Sequence, residues 1–235
     1  MTDALPPDAP LAILVASGPM SRAEMERLQG ALAENPGALV IGVDGGARHL
    51  LRVGRVPDVV TGDFDSLRIA ECEALAKRGV TLVPTPDQNY TDLDKALTYA
   101  RAGHGAERIR VYAATGGRLD HIYSVLSTLV KHSGSGDIRL VDAVGETWLV
   151  NSDVVLTGSD LPGRTLSLMA LGRATGITTT GVRWTLTEET LAPGIRDGTL
   201  NEIVSEIVTI RVRGGDLLVQ LHHAAPCYTE TDADA

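Results

Sequence analysis

Aromatic side chains make up 3% of the 235 residues: one phenylalanine, two tryptophans and five tyrosines. Each ring is scarce enough to need its own explanation. Only two cysteines occur, Cys72 and Cys227, far apart and in no CxxC or zinc-type spacing. That argues against a disulfide framework and for a reduced, cytoplasmic setting. Basic residues are outnumbered, 21 Lys and Arg against 30 Asp and Glu, for a net charge of −9. Phosphate backbones recruit basic surfaces, so no nucleic-acid partner is expected. A small phosphorylated ligand carried by a divalent cation remains compatible with an acidic site. The apolar run LAILVA covers residues 11–16, a strand's length against the roughly 20 of a membrane span, so no membrane partner is expected. The opening MTDALPPDAP is acidic and proline-rich, unlike the basic start of a signal peptide. GxGxxG, GxSxG and internal repeats are all missing.

What is present has two textures. Up to about residue 133, short apolar runs alternate with helical stretches, the pattern of βαβ units around a mostly parallel sheet. LAILVA, ALVIGVD (38–44), VTLVPT and RIRVYAA read as strands. MSRAEMERLQGALAE, LRIAECEALAKRG, TDLDKALTYARAG and RLDHIYSVLSTLVKHSG read as amphipathic helices. SGSGD (133–137) then reads as a linker. Beyond it, IRLVDAV, TWLVN, DVVLTG, RTLSLMAL, ATGITTTGVRW, EIVTIRVRG and DLLVQLHH are short β-type runs between turn residues, as in an antiparallel sandwich. The expected fold class is α/β: a mostly parallel α/β domain over 1–136, then an antiparallel β-sandwich over 137–235. The tail YTETDADA is expected to be disordered.

The acidic positions of the first half fall at strand ends, the edge where open α/β sheets bind ligands. Asp44 ends a strand in GVDGGA, where two glycines let a ligand approach the backbone. In GDFDSL, residues two apart in an extended loop point the same way, so Asp63 and Asp65 can meet one cation while Phe64 anchors in the core. The alternative is that Asp65-Ser66 simply starts the next helix. In PDQNYTDLDKAL, Thr91 and Asp94 resemble a capping box. Asp92, in the first turn, is then the ligand candidate, and Lys95 either neutralises phosphate or is a solvated surface lysine. In TGGRLDH, two glycines before a helix start make an anion site from backbone N–H groups, and Arg118 adds a planar phosphate donor. Asp120 is a capping residue or a site acid, and His121 reads as structural. GSDLPGRT (158–165) has P-loop spacing but leads into a β-type run, so it reads as a hairpin turn. Trp184 alone reads as a core anchor or a ligand platform.

The set GVDGGARHLL, PDVVTGDFDSL, DQNYTDLDKAL and GGRLDH, followed by GVRW and GTLNE in the β-rich half, resembles the thiamine pyrophosphokinase family over nearly the whole chain. The resemblance implies an α/β domain joined to a β-sandwich, a homodimer with shared active sites, and transfer of the pyrophosphoryl group of ATP to thiamine with release of AMP. It places Mg²⁺ on Asp63, Asp65 and Asp92. Asp44, Gln88, Lys95, Gly117, Arg118 and Asp120 match nucleotide-binding or catalytic positions, with Asp92 and Asp120 open as general bases. Trp184, with Thr199 and Asn201, matches the thiamine side, the indole coming from the partner subunit. Three positions depart from the family pattern. Leu200 stands where serine is common, moving any hydroxyl contact to Thr199; Ser127 stands where asparagine is frequent; and Asn89 replaces an acid.

Three rival functions share parts of this pattern. One is pyrophosphoryl transfer to another primary alcohol, such as a hydroxymethylpterin. A metal-dependent glycosyltransferase also uses DxD, but would need a sugar-acceptor domain larger than this chain holds. A non-catalytic thiamine-binding module would not need Asp63, Asp65 and Arg118 together.

Overall fold

The alternating first half builds a parallel sheet covered on both faces. In the computed structural model, which describes residues 9–134 and 136–224, the elements run in a regular order. They are β1 (Leu11–Val15), α1 (Arg22–Glu34), β2 (Leu39–Val43), α2 (Ala47–Arg52), β3 (Val59–Gly62), α3 (Ile69–Lys77), β4 (Thr81–Pro84), α4 (Asp92–His104), β5 (Arg108–Tyr112), α5 (Leu119–Lys131) and β6 (Asp137–Val141). The strand order is β6-β5-β1-β2-β3-β4, and the pairings are parallel. Four of the five residues in β1 and in β2 are buried, as continuous apolar runs in a doubly covered parallel sheet require. Ile13, Leu14, Leu28, Ile41 and Leu50 are fully buried among them. Side-chain caps fix where two helices start: Ser21 accepts from the Glu24 amide at 3.1 Å and Thr91 from the Asp94 amide at 3.2 Å.

The expected boundary after residue 136 is displaced. IRLVDAV is not the first strand of the sandwich, because β6 pairs in parallel with β5, Ile109 opposite Ile138. The chain divides instead between Ala143 and Val144, so Ser133, Gly134, Gly136 and Asp137 belong to the α/β unit and do not link the two units; Ser135 lies outside the described residues.

The second unit contains β7 (Gly145–Val150), β8 (Val154–Thr157), β9 (Thr165–Ala170), β10 (Ala174–Thr180), β11 (Glu189–Leu191), β12 (Gly198–Glu202), β13 (Ile207–Arg211) and β14 (Leu217–His222). They form two antiparallel layers, β12-β9-β14-β7 and β11-β10-β13-β8. Inward residues of both, including Trp148, Leu166, Ile177, Ile210 and Val219, make one buried cluster. Trp148 is thus the tryptophan that anchors this core. The segment 158–164 is not a hairpin turn: β8 pairs with β13 and β9 with β12 and β14, so it crosses between layers. Its buried Leu161 packs into the shared cluster. The tail from Ala225, including Cys227 and YTETDADA, lies outside the described residues.

Candidate active site

The site is assembled at the carboxyl ends of β2, β3 and β4. β2 runs into a 3-10 turn over Asp44–Gly46 and then α2. Gly46 is required by the protein itself, because a Cβ there would lie 1.8 Å from the Val15 carbonyl oxygen. Asp44 adopts φ +46°, which turns its carboxyl group back toward β3. A Cβ on Gly62 would lie 3.0 Å from the Asp44 Cβ, so the two strand ends sit tightly together.

The loop after β3 is not extended, as the alternation argument expects. Phe64 is left-handed, φ +63°, and the Asp65 amide donates to Asp63 Oδ1 at 3.2 Å, closing an Asx turn. The turn still brings the aspartates together. Phe64 packs half-buried against a cluster of Ala47, Val60, Leu67, Leu75 and Val80, so its anchoring role stands by a different geometry.

Carboxylate oxygens of Asp44, Asp63 and Asp65 lie within 4.8 Å of one another. Mg²⁺ in octahedral coordination, with Mg–O of about 2.1 Å, spaces its ligand oxygens by roughly 3–4 Å, so the group needs only a small contraction to hold one. Asp44 is 4% exposed, and its Oδ1 has no hydrogen-bond partner among the described residues. A group of three acids, one of them buried with an orphaned carboxylate oxygen, is a donor set a hard cation satisfies. Burial pushes the Asp44 carboxyl up; hydrogen bonds from Ser66 and Gly45 oppose this, and the charges of Asp65 and Asp92 reinforce it. Asp63 is held below the usual carboxylate range, first by the Gln88 side chain, whose Nε2 donates to Asp63 Oδ2 at 3.1 Å.

The trio differs from the set expected from sequence. Asp44 takes the third place, and Asp92 lies outside the group, with its Oδ1 2.7 Å from Lys95 Nζ. Lys95 is engaged within the chain. Its side chain is 11% exposed, and Nζ also donates to the Thr85 carbonyl at 2.6 Å and the Asp87 carbonyl at 3.1 Å. An ammonium has three donors, and three partners surround it. Asp94 is no capping-box acid: its carboxylate accepts from His132 Nε2 at 2.7 Å and from Lys131, joining α4 to α5.

After β5 the chain passes Gly116 and Gly117, at φ +87° and +72°, before α5. Arg118 is 70% exposed and forms a fork with Asp120, Nε–Oδ1 3.1 Å and Nη2–Oδ2 2.5 Å. Both side chains are solvated, so this pair opens for an anion at little cost. Sequence reading misses Glu24. Its buried carboxyl accepts from the Ala113 amide at 2.6 Å, steadying the left-handed Ala113 (φ +54°) that starts this loop. No spacing in the sequence links α1 to residue 113.

In the second unit, Trp184 is 59% exposed, which removes it from the core. Asn201 is buried and clasps the Trp184 backbone, Oδ1 accepting from the amide at 3.1 Å and Nδ2 donating to the carbonyl at 2.7 Å. Its side chain thereby fixes the backbone that carries the indole. The Arg183 guanidinium lies 5.7 Å from the ring centre. Thr199 Oγ1 donates to Asp197 at 2.8 Å, and Leu200, at φ +58°, is exposed.

A parallel α/β unit with acids gathered at its strand ends, followed by an antiparallel sandwich with an exposed indole, defines a class of two-unit α/β-plus-sandwich proteins. Residues 33–140 match the family model "Thiamin pyrophosphokinase, catalytic domain", and residues 153–217 match "Thiamin pyrophosphokinase, vitamin B1 binding domain". The chain belongs to the thiamine pyrophosphokinase family. It is 29% identical over 163 residues to thiamine pyrophosphokinase 2 of Arabidopsis thaliana, covering 66% of this chain and 61% of that protein. With thiamine pyrophosphokinase 1 of rice it shares 30% over 169 residues, covering 68% and 64%. The matches thus span less than two thirds of these plant relatives. The crystal structure of thiamine pyrophosphokinase from Bacillus subtilis superposes with a TM-score of 0.77 at 25% identity, covering 92% of this chain and all of that one.

Proposed function

We propose that this protein transfers the β,γ-pyrophosphoryl group of ATP to the hydroxyethyl group of thiamine, releasing AMP. The carrying observations are the convergence of carboxylate oxygens of Asp44, Asp63 and Asp65 and the unpartnered buried Oδ1 on Asp44, in a chain of this family. Asp44, Asp63 and Asp65 would hold Mg²⁺, with Asp92 beside them. Bound there, the ion would neutralise the phosphate charge and polarise the reacting phosphorus.

The chain's own groups do the rest by positioning and charge, which is what this class of transfer needs. Gln88 fixes the Asp63 carboxylate. Lys95 fixes Asp92 and the loop carrying Gln88. Arg118 exchanges Asp120 for a phosphate oxygen pair, its planar fork matching that geometry. Trp184 offers its face to the thiazolium cation, with the Asn201 clasp holding its backbone. The reading includes a homodimer in which Trp184 of the partner subunit completes each site, and a cytoplasmic setting in keeping with the cysteine pattern. Among the described residues, no helix is long and apolar enough to cross a membrane.

AMP formation from ATP and Mg²⁺ with thiamine, a hydroxymethylpterin or no alcohol tests this. Thiamine-dependent AMP is expected. AMP with the pterin alone assigns a different acceptor, and thiamine binding without AMP assigns a non-catalytic module.

A further inference from the structure

We propose that Glu24, on α1, is a positioning residue for the transfer reaction: through the Ala113 backbone it holds the loop that presents Arg118 to the nucleotide phosphates. This rests on the pyrophosphoryl-transfer reading above.

Folding alone does not explain an acid at this position. Glu24 and Leu28 are the two buried residues of α1, four apart and so on one face of the helix. Leu28 packs with Ile13, Val40 and Tyr112 in the core. Glu24 is 4% exposed, and an ionisable group at that depth costs more than a second leucine would. Burial pushes its carboxyl up and the Asp142 charge adds to this, while the Ala113 and Ser21 amides oppose them. The Ser21 contact is reciprocated, Ser21 Oγ accepting from the Glu24 amide at 3.1 Å, which makes a capping box. A cap serves its own helix. It does not account for a contact 89 residues away in sequence.

That contact falls on Ala113, fully buried and left-handed, a conformation that residues with a Cβ avoid. Both of its backbone groups are claimed from other elements. The amide donates to Glu24 Oε1 at 2.6 Å, and the carbonyl accepts from the Gly18 amide at 2.9 Å. From this fixed point the chain runs to Arg118 through a tightly bounded course. Thr115 Oγ1 donates to Asp142 Oδ2 at 3.1 Å. A Cβ on Gly116 would lie 3.3 Å from the Pro19 ring, and one on Gly117 3.4 Å from it. Arg118 itself is solvated and forks with Asp120, its near neighbour in the chain, so its placement follows the loop. A planar fork is directional. Tilting the loop at Ala113 therefore carries the guanidinium away from a phosphate that it would otherwise meet in plane.

The test separates reach from charge. Glu24→Gln keeps an oxygen acceptor at the same reach without the charge, whereas Glu24→Asp keeps the charge on a side chain one methylene shorter. ATP with Mg²⁺ is titrated calorimetrically into the full chain without thiamine, and steady-state kinetics are measured for both substrates. Glu24→Gln should bind ATP within about threefold of wild type, since its amide oxygen still accepts. Glu24→Asp should lower ATP affinity and kcat/KM for ATP about tenfold, the scale of a misplaced hydrogen bond to a charged group, with the thiamine KM within about twofold. Ser21→Ala, which removes the helix cap alone, should lower the melting midpoint and leave ATP affinity at the wild-type value. Adding Glu24→Asp to Arg118→Lys should cost little further, because the effect passes through Arg118. Wild-type ATP affinity in Glu24→Asp, or losses that add fully to those of Arg118→Lys, overturns the assignment. So does a tenfold loss in Glu24→Gln, or a loss in Ser21→Ala equal to that in Glu24→Asp. ATP binding is read without turnover, so absence of thiamine-dependent AMP release by the wild type separately overturns the transfer reading.

Discussion

Lys95 Nζ lies 2.7 Å from Asp92 Oδ1, deep in a cage completed by the carbonyl oxygens of Thr85 and Asp87. The cage makes Lys95 a clamp on the loop that carries Gln88, not a free phosphate ligand. A guanidinium in its place could not serve three oxygens converging on one point, because its donors are spread over a planar fork. We expect Lys95→Arg and Lys95→Met to lower turnover alike, by about tenfold or more. Nearly full activity in Lys95→Arg with loss in Lys95→Met would instead assign Lys95 to phosphate binding.

Asp44 predicts a pH-dependent response to Mg²⁺. Burial, its leading influence, raises this carboxyl above the ordinary value. The folded state therefore holds the proton more tightly than the unfolded one. Stability from this group is present at low pH and is lost as pH rises through the folded value. A cation displaces that proton, so Mg²⁺ should raise the melting temperature more at about pH 8 than at about pH 5. Asp44→Asn should melt about 3 °C higher than wild type without metal at the higher pH, close to 1 kcal/mol for a domain of this size. It should also lose most of the Mg²⁺ response. A Mg²⁺ shift in Asp44→Asn equal to wild type contradicts the trio.

Asp94 should behave as structure. Desolvation pushes its carboxyl up, but the hydrogen bonds and charges of Lys131 and His132 outweigh it, and the net direction is down. A depressed acid contributes stability above its unfolded value that is lost as pH falls through the folded one. Asp94→Asn should cost about 2 kcal/mol near neutral pH, the scale of hydrogen bonds to a charged group, with the difference from wild type shrinking on acidification. Denaturant unfolding across pH measures this. A constant difference at every pH would remove the ionic explanation.

Trp184 tests whether the site is shared between subunits. Cation stacking contributes about 0.5–2 kcal/mol, so Trp184→Ala should raise the thiamine KM several-fold while the ATP KM holds. Mixing Asp63→Asn with Trp184→Ala under conditions of subunit exchange should recover activity, since one site in each mixed dimer is then intact. No recovery despite demonstrated exchange places both residues in one chain's site.

The parallel sheet is legible from the run-and-helix alternation, and so are the acids at its edge. The partnership of Asp44 with Asp63 and Asp65 is not, because it depends on β2 and β3 being neighbours, Val43 opposite Thr61. Strand order is a long-range fact that local pattern does not carry. GDFDSL reads as extended, and only the left-handed Phe64 shows that a turn does the pairing. The motif names two acids that do come together, through a turn and not the extended geometry. Asp94 departs from its local reading for a related reason: Thr91 caps as its letters suggest, but a helix from elsewhere in the chain claims the acid. IRLVDAV has the texture of either half, and its parallel pairing with β5 decides its place.

The most direct test of the acidic group as the catalytic centre is AMP release by Asp63→Asn in the presence of ATP, Mg²⁺ and thiamine. Asp63 sits on a surface turn, so the variant should fold with a melting temperature close to wild type. Its rate should fall about 100-fold or more, the scale of losing one charge-stabilising group at a reacting centre. A folded Asp63→Asn protein that releases AMP at nearly the wild-type rate would contradict the account.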